Sequence, residues 1–152
     1  MVFLPALFSF NESWVLNEAE TSIPILSRAF ITLGCFVLAS SAIYMFNDVI
    51  DADKDKLHPN KKYRPVASGR LGKKLALTVA LILAAGAIFA SSTISVAMVF
   101  VLLSYLLLML VYAFFLREII LLDVFCISAG FIIRVVAGAV AIGVPMSPWL
   151  YV

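Results

Sequence analysis

The sequence predicts an all-α fold, a polytopic transmembrane helical bundle of about four full spans plus a partial one. Three observations carry that reading. Of 152 residues, 64% are hydrophobic and 13% charged, with a mean hydropathy of +1.10. A water-soluble domain averages about 45–50% apolar and about 25% charged, so one soluble core cannot hide this much apolar surface. The apolar residues also fall into runs near the ~20 helical residues needed to cross ~30 Å of hydrocarbon. Finally, eight of the eleven Lys and Arg fall between Lys54 and Lys74, a concentration that places one connection on the cytoplasmic side of a membrane. Residues 1–152 read as a single transmembrane domain.

In chain order, residues 1–10 are apolar but too short to span, and Pro5, Ser9 and Asn11 suit the last turns of a helix whose beginning is absent. The stretch has no basic leader and no small-residue cleavage site, so it is not read as a signal peptide. Residues 11–24 carry three glutamates and no Lys or Arg; Pro24 then marks a helix start. The first span covers residues 25–46, with Arg28 near enough to its beginning to snorkel. A polar stretch follows at 47–74. The second span, 75–90, is rich in Ala and Gly, which favours close helix packing over lipid contact. Ser91, Ser92 and Thr93 make a tight uncharged turn. The third span, 94–116, is the most apolar, and Arg117-Glu118 is a short connection to the fourth, 119–142. Beyond it Gly143, Pro145 and Pro148 break the helix, and Trp149 and Tyr151 suit a membrane interface. Cys35 and Cys126 lie in apolar runs and read as packing side chains. Arg117 lies on the same side as the basic window, and the connections at 11–24, 91–93 and 143–149 hold no Lys or Arg. Residues 47–74 are therefore expected on the cytoplasmic side of the membrane.

The polar stretch concentrates the chemistry. Residues 47–69 read NDVIDADKDKLHPNKKYRPVASG and hold four of the nine acidic residues and the only histidine. Asp48, Asp51 and Asp55 are spaced i, i+3, i+7, so on a helix continuing from the first span they fall within about 60° of one another. Asn47 lies about a quarter-turn away, and Asp53 points to the far side. Three carboxylates on one face repel one another, and a hard divalent cation offsets that repulsion. Mg²⁺ uses one or two carboxylates plus substrate phosphate oxygens. The competing readings are a solvated loop that only sets topology, to which Asp contributes little, and a structural Ca²⁺ site.

Lys61, Lys62 and Arg64 follow closely, with Pro59 and Pro65 fixing the backbone on either side. Arg64 suits bidentate phosphate contact and the lysines act as point charges. Anionic lipid headgroups are the alternative partner for a basic run, favoured for Lys73 and Lys74. His58, between Leu57 and Pro59, reads as a loop-shaping residue more than a general base. Inside the membrane, Asp123 and Arg134 are charges of a kind that is costly and usually paired or functional. Asp123 near its helix end is equally well explained by hydration. Arg134 lies deeper and is a candidate cavity residue facing a phosphate or a carboxylate. Tyr44, one turn before Asp48, is a candidate cavity wall, with aromatic packing as its competing role. Gly130 and Gly138 suit helix contact.

Asn47-Asp48-x-x-Asp51-x-x-x-Asp55 resembles the first aspartate-rich motif of the UbiA superfamily of intramembrane prenyltransferases, and Arg64-Pro65-x-Ala67-Ser68-Gly69 is similar to the segment that follows it there. The fuller form, Asp55-x-x-His58-Pro59-x-Lys61-x-x-Arg64-Pro65, is closest to the branch of decaprenyl-phosphate phosphoribosyltransferases, as is the last span. The resemblance implies a nine-span bundle with two aspartate-rich motifs facing each other across a cytoplasmic cavity, binding Mg²⁺ and a donor diphosphate. Residues 47–74 would then be the catalytic loop. Asp48 and Asp51 would be catalytic, and Asn47, Asp48, Asp51 and Asp55 the metal ligands. Lys61, Lys62 and Arg64 would bind diphosphate. In the phosphoribosyl branch the donor resembles phosphoribosyl diphosphate and the acceptor is a polyprenyl phosphate. In the quinone branch a prenyl diphosphate meets an aromatic ring. The sequence departs from the pattern in having about half the spans and no second aspartate-rich motif, so it reads as a fragment, a split gene product or the first part of a longer enzyme, whose missing C-terminal half would be a partner. No nucleic-acid partner is expected. Beside the phosphoribosyl and aromatic prenyltransferase readings stands a third, a non-catalytic membrane module that binds an anion.

Overall fold

The structure, a computed structural model, describes residues 1–2, 19–116 and 120–143. The expectations for the stretches at 3–18, for Arg117-Glu118 and for interfacial Trp149 and Tyr151 lie outside the described residues. Four α-helices follow in order: α1 Ala19–Lys56, α2 Lys73–Ser92, α3 Val96–Val111 and α4 Ile120–Ile142. A 3₁₀ turn at Lys61–Tyr63 lies between α1 and α2, and a π-helical turn at Tyr112–Leu116 extends α3. No strand occurs among the described residues. Each helix, α3 together with its π turn, contains a stretch long and apolar enough to cross a membrane: Ile25–Lys56, Lys73–Ser92, Val96–Leu116 and Leu121–Ile142. The chain is an integral membrane protein, and its all-α bundle is the fold class that the sequence predicts.

The polar stretch is not a loop from its first residue. Helix α1 continues through Asn47 to Lys56. No Gly or Pro lies between Gly34 and Pro59, and Lys54 and Lys56 in its last turn complement the negative end of the helix dipole. The uncharged turn between α2 and α3 shows how a short connection satisfies a backbone near lipid. Ser91, Ser92 and Thr93 donate their hydroxyls to the carbonyls of Ile88, Phe89 and Ala90, each at 2.7 Å. Ser95 Oγ accepts from the Met98 amide at 3.1 Å and caps α3. Unpaired backbone groups cost several kcal/mol where water is absent, so these hydroxyls do more than shape a turn.

Packing centres on α1. Its Cys35, Phe36, Ala39 and Ile43 meet Ala87 of α2, Met98, Leu102, Tyr105 and Leu106 of α3, and Ala137 of α4 in one buried cluster. Phe36 and Tyr105 pack edge to face with ring centroids 5.1 Å apart. Helix α2 buries Ala76, Ala80, Ala87 and Ser91, small residues on one stripe that let its backbone approach α1 closely. Large apolar residues such as Phe30, Leu81, Phe89, Phe100 and Phe125 stay exposed, as suits a lipid-facing surface. A smaller cluster forms where α1 leaves the bundle: Ala52, Ala76 and Val66 are buried together, with Met45, Val49 and Leu71 against them. This knot ties the α1–α2 loop down onto both helices.

Ala87, fully buried under α1, has no room for a larger side chain. Ala87→Leu is expected to destabilise the bundle by about 1–3 kcal/mol, read as a lower melting temperature in detergent. Leu81→Ala, on the exposed face of the same helix, is expected to change it little. Equal effects of the two would overturn the packing assigned to α2.

Candidate active site

One face of α1 lines a cavity. Ser40, Ile43, Tyr44, Asn47, Asp48 and Asp51 all contribute to its wall, recurring at the three- and four-residue spacing of a single helix face. Tyr105, Met109 and Tyr112 line it from α3 and its π turn. Ile127, Gly130, Phe131 and Arg134 line it from α4, and Lys61 and Arg64 from the loop. The cavity, open on one side, has a volume of about 470 Å³, ample for a small phosphorylated ligand. Against Gly130 the Met109 methyl lies 2.6 Å from where a Cβ would stand, so the glycine lets α3 and α4 close behind the cavity.

The loop places its basic residues by local geometry. Arg64 ends the 3₁₀ turn with φ −59° and ψ 145°, the extended conformation that a following proline imposes. Beyond Pro65 the chain folds back on itself. Ser68 N donates to Arg64 O at 2.8 Å, and Leu71 N to Pro65 O at 2.9 Å. Gly69 has a φ of +78°, a conformation that costs glycine little. His58 Nδ1 accepts from the amides of Asn60 and Lys61 at 3.2 and 3.4 Å, a loop-shaping role. Arg64 Nη1 is thereby held 3.0 Å from both Asp48 Oδ1 and Asp55 Oδ2.

The residues singled out in the sequence separate into groups. Asn47, Asp48 and Asp51 face the cavity with Lys61 and Arg64. Asp55 does not line the cavity; it is 4% exposed and its carboxylate is occupied by Arg64. Lys62 stands over the Tyr63 ring at 5.1 Å, outside the cavity lining. Asp53 lies on the outer face, bridging Lys56 at 3.1 Å and Lys73 at 2.8 Å. Tyr44 is 73% exposed and lines the cavity wall. Arg134 reaches the cavity and donates to Tyr105 OH at 2.8 Å and to Ser40 Oγ at 3.4 Å. Asp123 accepts a 2.7 Å hydrogen bond from Tyr112 OH, and Tyr112, not Asp123, lines the cavity.

A cation site is tested by its donors. Among the described residues no cluster of three or more His, Cys, Asp or Glu is arranged to hold a metal. The cavity does offer an oxygen set of Asp48, Asp51 and Asn47, and Asn47 Oδ1 is buried with no hydrogen-bond partner among the described residues. A buried amide oxygen without a partner is costly, and hard cations accept carboxylate and amide oxygens alike. The donor set fits a hard divalent cation whose remaining positions other oxygens would fill.

Residues 2–152 match the UbiA prenyltransferase family. The chain belongs to that family. The decaprenyl-phosphate phosphoribosyltransferase of Mycobacterium tuberculosis is 34% identical over 127 residues, covering 84% of this chain and 42% of that protein. The enzyme of the same name from Corynebacterium glutamicum is 37% identical over 152 residues, 91% of this chain and 46% of that protein. The protoheme IX farnesyltransferase of Trichodesmium erythraeum is 38% identical over 72 residues, 47% of this chain and 21% of that protein. The chain thus spans less than half the length of these relatives. Within this UbiA-family site, Ser40, Tyr105 and Tyr112 were not singled out by sequence reasoning. Hydroxyls are common in membrane helices and carry no spacing signal; for Ser40, its place two turns before Asp48 on the same helix face was the available clue.

Asp55→Asn leaves Arg64 with Asp48 alone and removes a buried partner. It is expected to cost about 1–3 kcal/mol, below the range for a fully buried pair because Arg64 is partly exposed. Faster trypsin cleavage at Lys61 and Lys62 in detergent is the readout. Asp53→Asn, on the outer face, is the control, and cleavage no faster than in that control would count against the clamp.

Proposed function

We propose that the protein is a Mg²⁺-dependent transferase that moves the phosphoribosyl group of phosphoribosyl diphosphate onto a polyprenyl phosphate such as decaprenyl phosphate. The observation that supports it is one cavity holding Asn47, Asp48 and Asp51 together with Lys61 and Arg64, beside similarity to relatives named decaprenyl-phosphate phosphoribosyltransferase. The His58-Pro59-x-Lys61 segment favours this donor over a prenyl diphosphate. The basic window supports a cytoplasmic position for residues 47–74, in a bacterial plasma membrane.

Asp48 and Asp51 are the catalytic carboxylates, and with Asn47 they hold the metal. Bound there, Mg²⁺ would screen the charge of the donor diphosphate and favour its departure. Asp55 keeps Arg64 in place, while Arg64 and Lys61 bind the diphosphate and take up the charge that grows on it as the ribose C1–O bond breaks. Lys62 adds positive charge beside them. The acceptor's phosphate oxygen forms the new bond to C1, and the diphosphate leaves with the electron pair. The second wall of the site is expected from the remainder of a longer protein or from a separate C-terminal half, since the relatives are more than twice as long as the chain.

Membranes from the source bacterium, given labelled phosphoribosyl diphosphate and decaprenyl phosphate, are expected to form a labelled lipid. Membranes lacking the gene are not, and complementation with Asp51→Asn is expected to restore less than about 1% of the rate. Product from a prenyl diphosphate plus 4-hydroxybenzoate, and none from phosphoribosyl diphosphate, would replace this reading with an aromatic prenyltransferase. Activity untouched by Asp51→Asn would leave a module whose aspartates are not catalytic.

Asn47 gives a separate check on the metal. Its Oδ1 has no hydrogen-bond partner among the described residues, so Asn47→Ala is expected to leave the melting temperature nearly unchanged while raising the Mg²⁺ concentration for half-maximal rate about tenfold. A large loss of stability with unchanged Mg²⁺ dependence would make Asn47 structural.

A further inference from the structure

The cavity has a second cationic end that the diphosphate reading leaves unused. Arg134 lies in the middle of α4, half-buried, with its guanidinium against the Tyr105 and Phe131 rings at 5.2 and 5.5 Å. Its hydrogen bonds go to two neutral hydroxyls, Tyr105 OH at 2.8 Å and Ser40 Oγ at 3.4 Å, which lie 3.0 Å from each other. No carboxylate pairs with it among the described residues: Asp48 and Asp55 hold Arg64, and Asp123 accepts from Tyr112. A charge within a membrane span is expensive and is normally offset by an opposite charge. Hydroxyls and ring faces orient a guanidinium without neutralising it.

Its position sets what it can meet. Ser40 and Asp48 lie eight residues apart on α1, a rise of about 12 Å, and both line the same cavity. On that rise Arg134, beside Ser40, stands about two helical turns from Asp48 along α1, a separation that leaves room for a second anionic group next to a diphosphate at Asp48 and Arg64. Ile43, Met109, Ile127 and Phe131 line the cavity beside it, so its surroundings are apolar. A planar guanidinium with donors fixed by Tyr105 and Ser40 matches the oxygens of a phosphate.

We propose that Arg134, positioned by Tyr105 and Ser40, forms a second phosphate subsite that takes a terminal phosphate monoester. The chemistry is shared by two sources under the reaction proposed above, on which this inference rests: the end group of an isoprenyl phosphate acceptor, and the 5-phosphate of the ribosyl donor. In either case Arg134 is a binding residue that fixes how far the ligand enters the bundle, and it takes no part in the departure of the diphosphate.

Equilibrium binding of two labelled probes, farnesyl phosphate and ribose 5-phosphate, to the detergent-solubilised full protein in EDTA reads the subsite without turnover. At least one is expected to bind the wild type and to bind Arg134→Gln about 10- to 100-fold more weakly, with Arg134→Lys keeping part of the affinity and Asp53→Asn all of it. Whichever probe shows the dependence names the source. Should Arg134→Gln fail to fold, Tyr105→Phe is expected to weaken the same probe several-fold. Binding of both monoesters within twofold of wild type in every folded variant, no binding of either to the wild type, or equal competition by farnesol or free ribose overturns the subsite. Failure of the transfer assay with Arg134-dependent binding intact overturns the reaction instead, and transfer with no Arg134 dependence overturns the subsite alone.

Discussion

Arg64 held between Asp48 and Asp55 is the interaction on which the site depends. Asp48 and Asp55, two turns apart on one helix face, repel each other. One guanidinium nitrogen, 3.0 Å from each, removes that repulsion and fixes the loop to the helix at once. The clamp is asymmetric in a useful way. Asp55 is buried and committed to Arg64, while Asp48 remains at the cavity edge beside Asp51 and Asn47. A basic residue in the cavity wall is thus anchored by an acidic one that does not face the cavity.

The clamp in turn rests on packing of small residues. Ala52 and Ala76 let α1 and α2 converge, and Val66 from the loop fills the space between them. Pro65 sets the Arg64 backbone, and Gly69 turns the chain toward α2 through a positive φ. The Arg-Pro-x-Ala-Ser-Gly run therefore reads as a mechanical part, with each residue type answering a local demand, placed so that one charge reaches two carboxylates.

The cavity is polarised along the length of α1. Its outer end carries carboxylates, an unpartnered amide oxygen and two basic residues; its inner end carries Arg134 among hydroxyls and rings. The π turn at Tyr112–Leu116, whose Phe114 packs on Phe46, brings Tyr112 into the wall, where Asp123 accepts from its hydroxyl. Local widening of a helix of this kind is common at functional sites. Charge at both ends with apolar walls between suits a ligand that is ionic at two points and is bound out of bulk water.

Much of this was legible from residues alone. Apolar runs set the four spans because hydrocarbon thickness leaves little choice of helix length, and the i, i+3, i+7 aspartates predicted one helix face because periodicity is local. Sequence spacing could not assign tasks among those aspartates. Asp48, Asp51 and Asp55 are equivalent by angle, and only the folding back of the loop decides that Asp55 meets Arg64 while Asp51 meets the cavity. Ser40, Tyr105 and Arg134 lie as far as 94 residues apart in sequence and become one cluster only where α1, α3 and α4 cross. Local chemistry determined which helices form and which face is acidic. Contacts between distant segments, which no single-helix pattern encodes, decided which charges are spent on structure and which are left for a ligand.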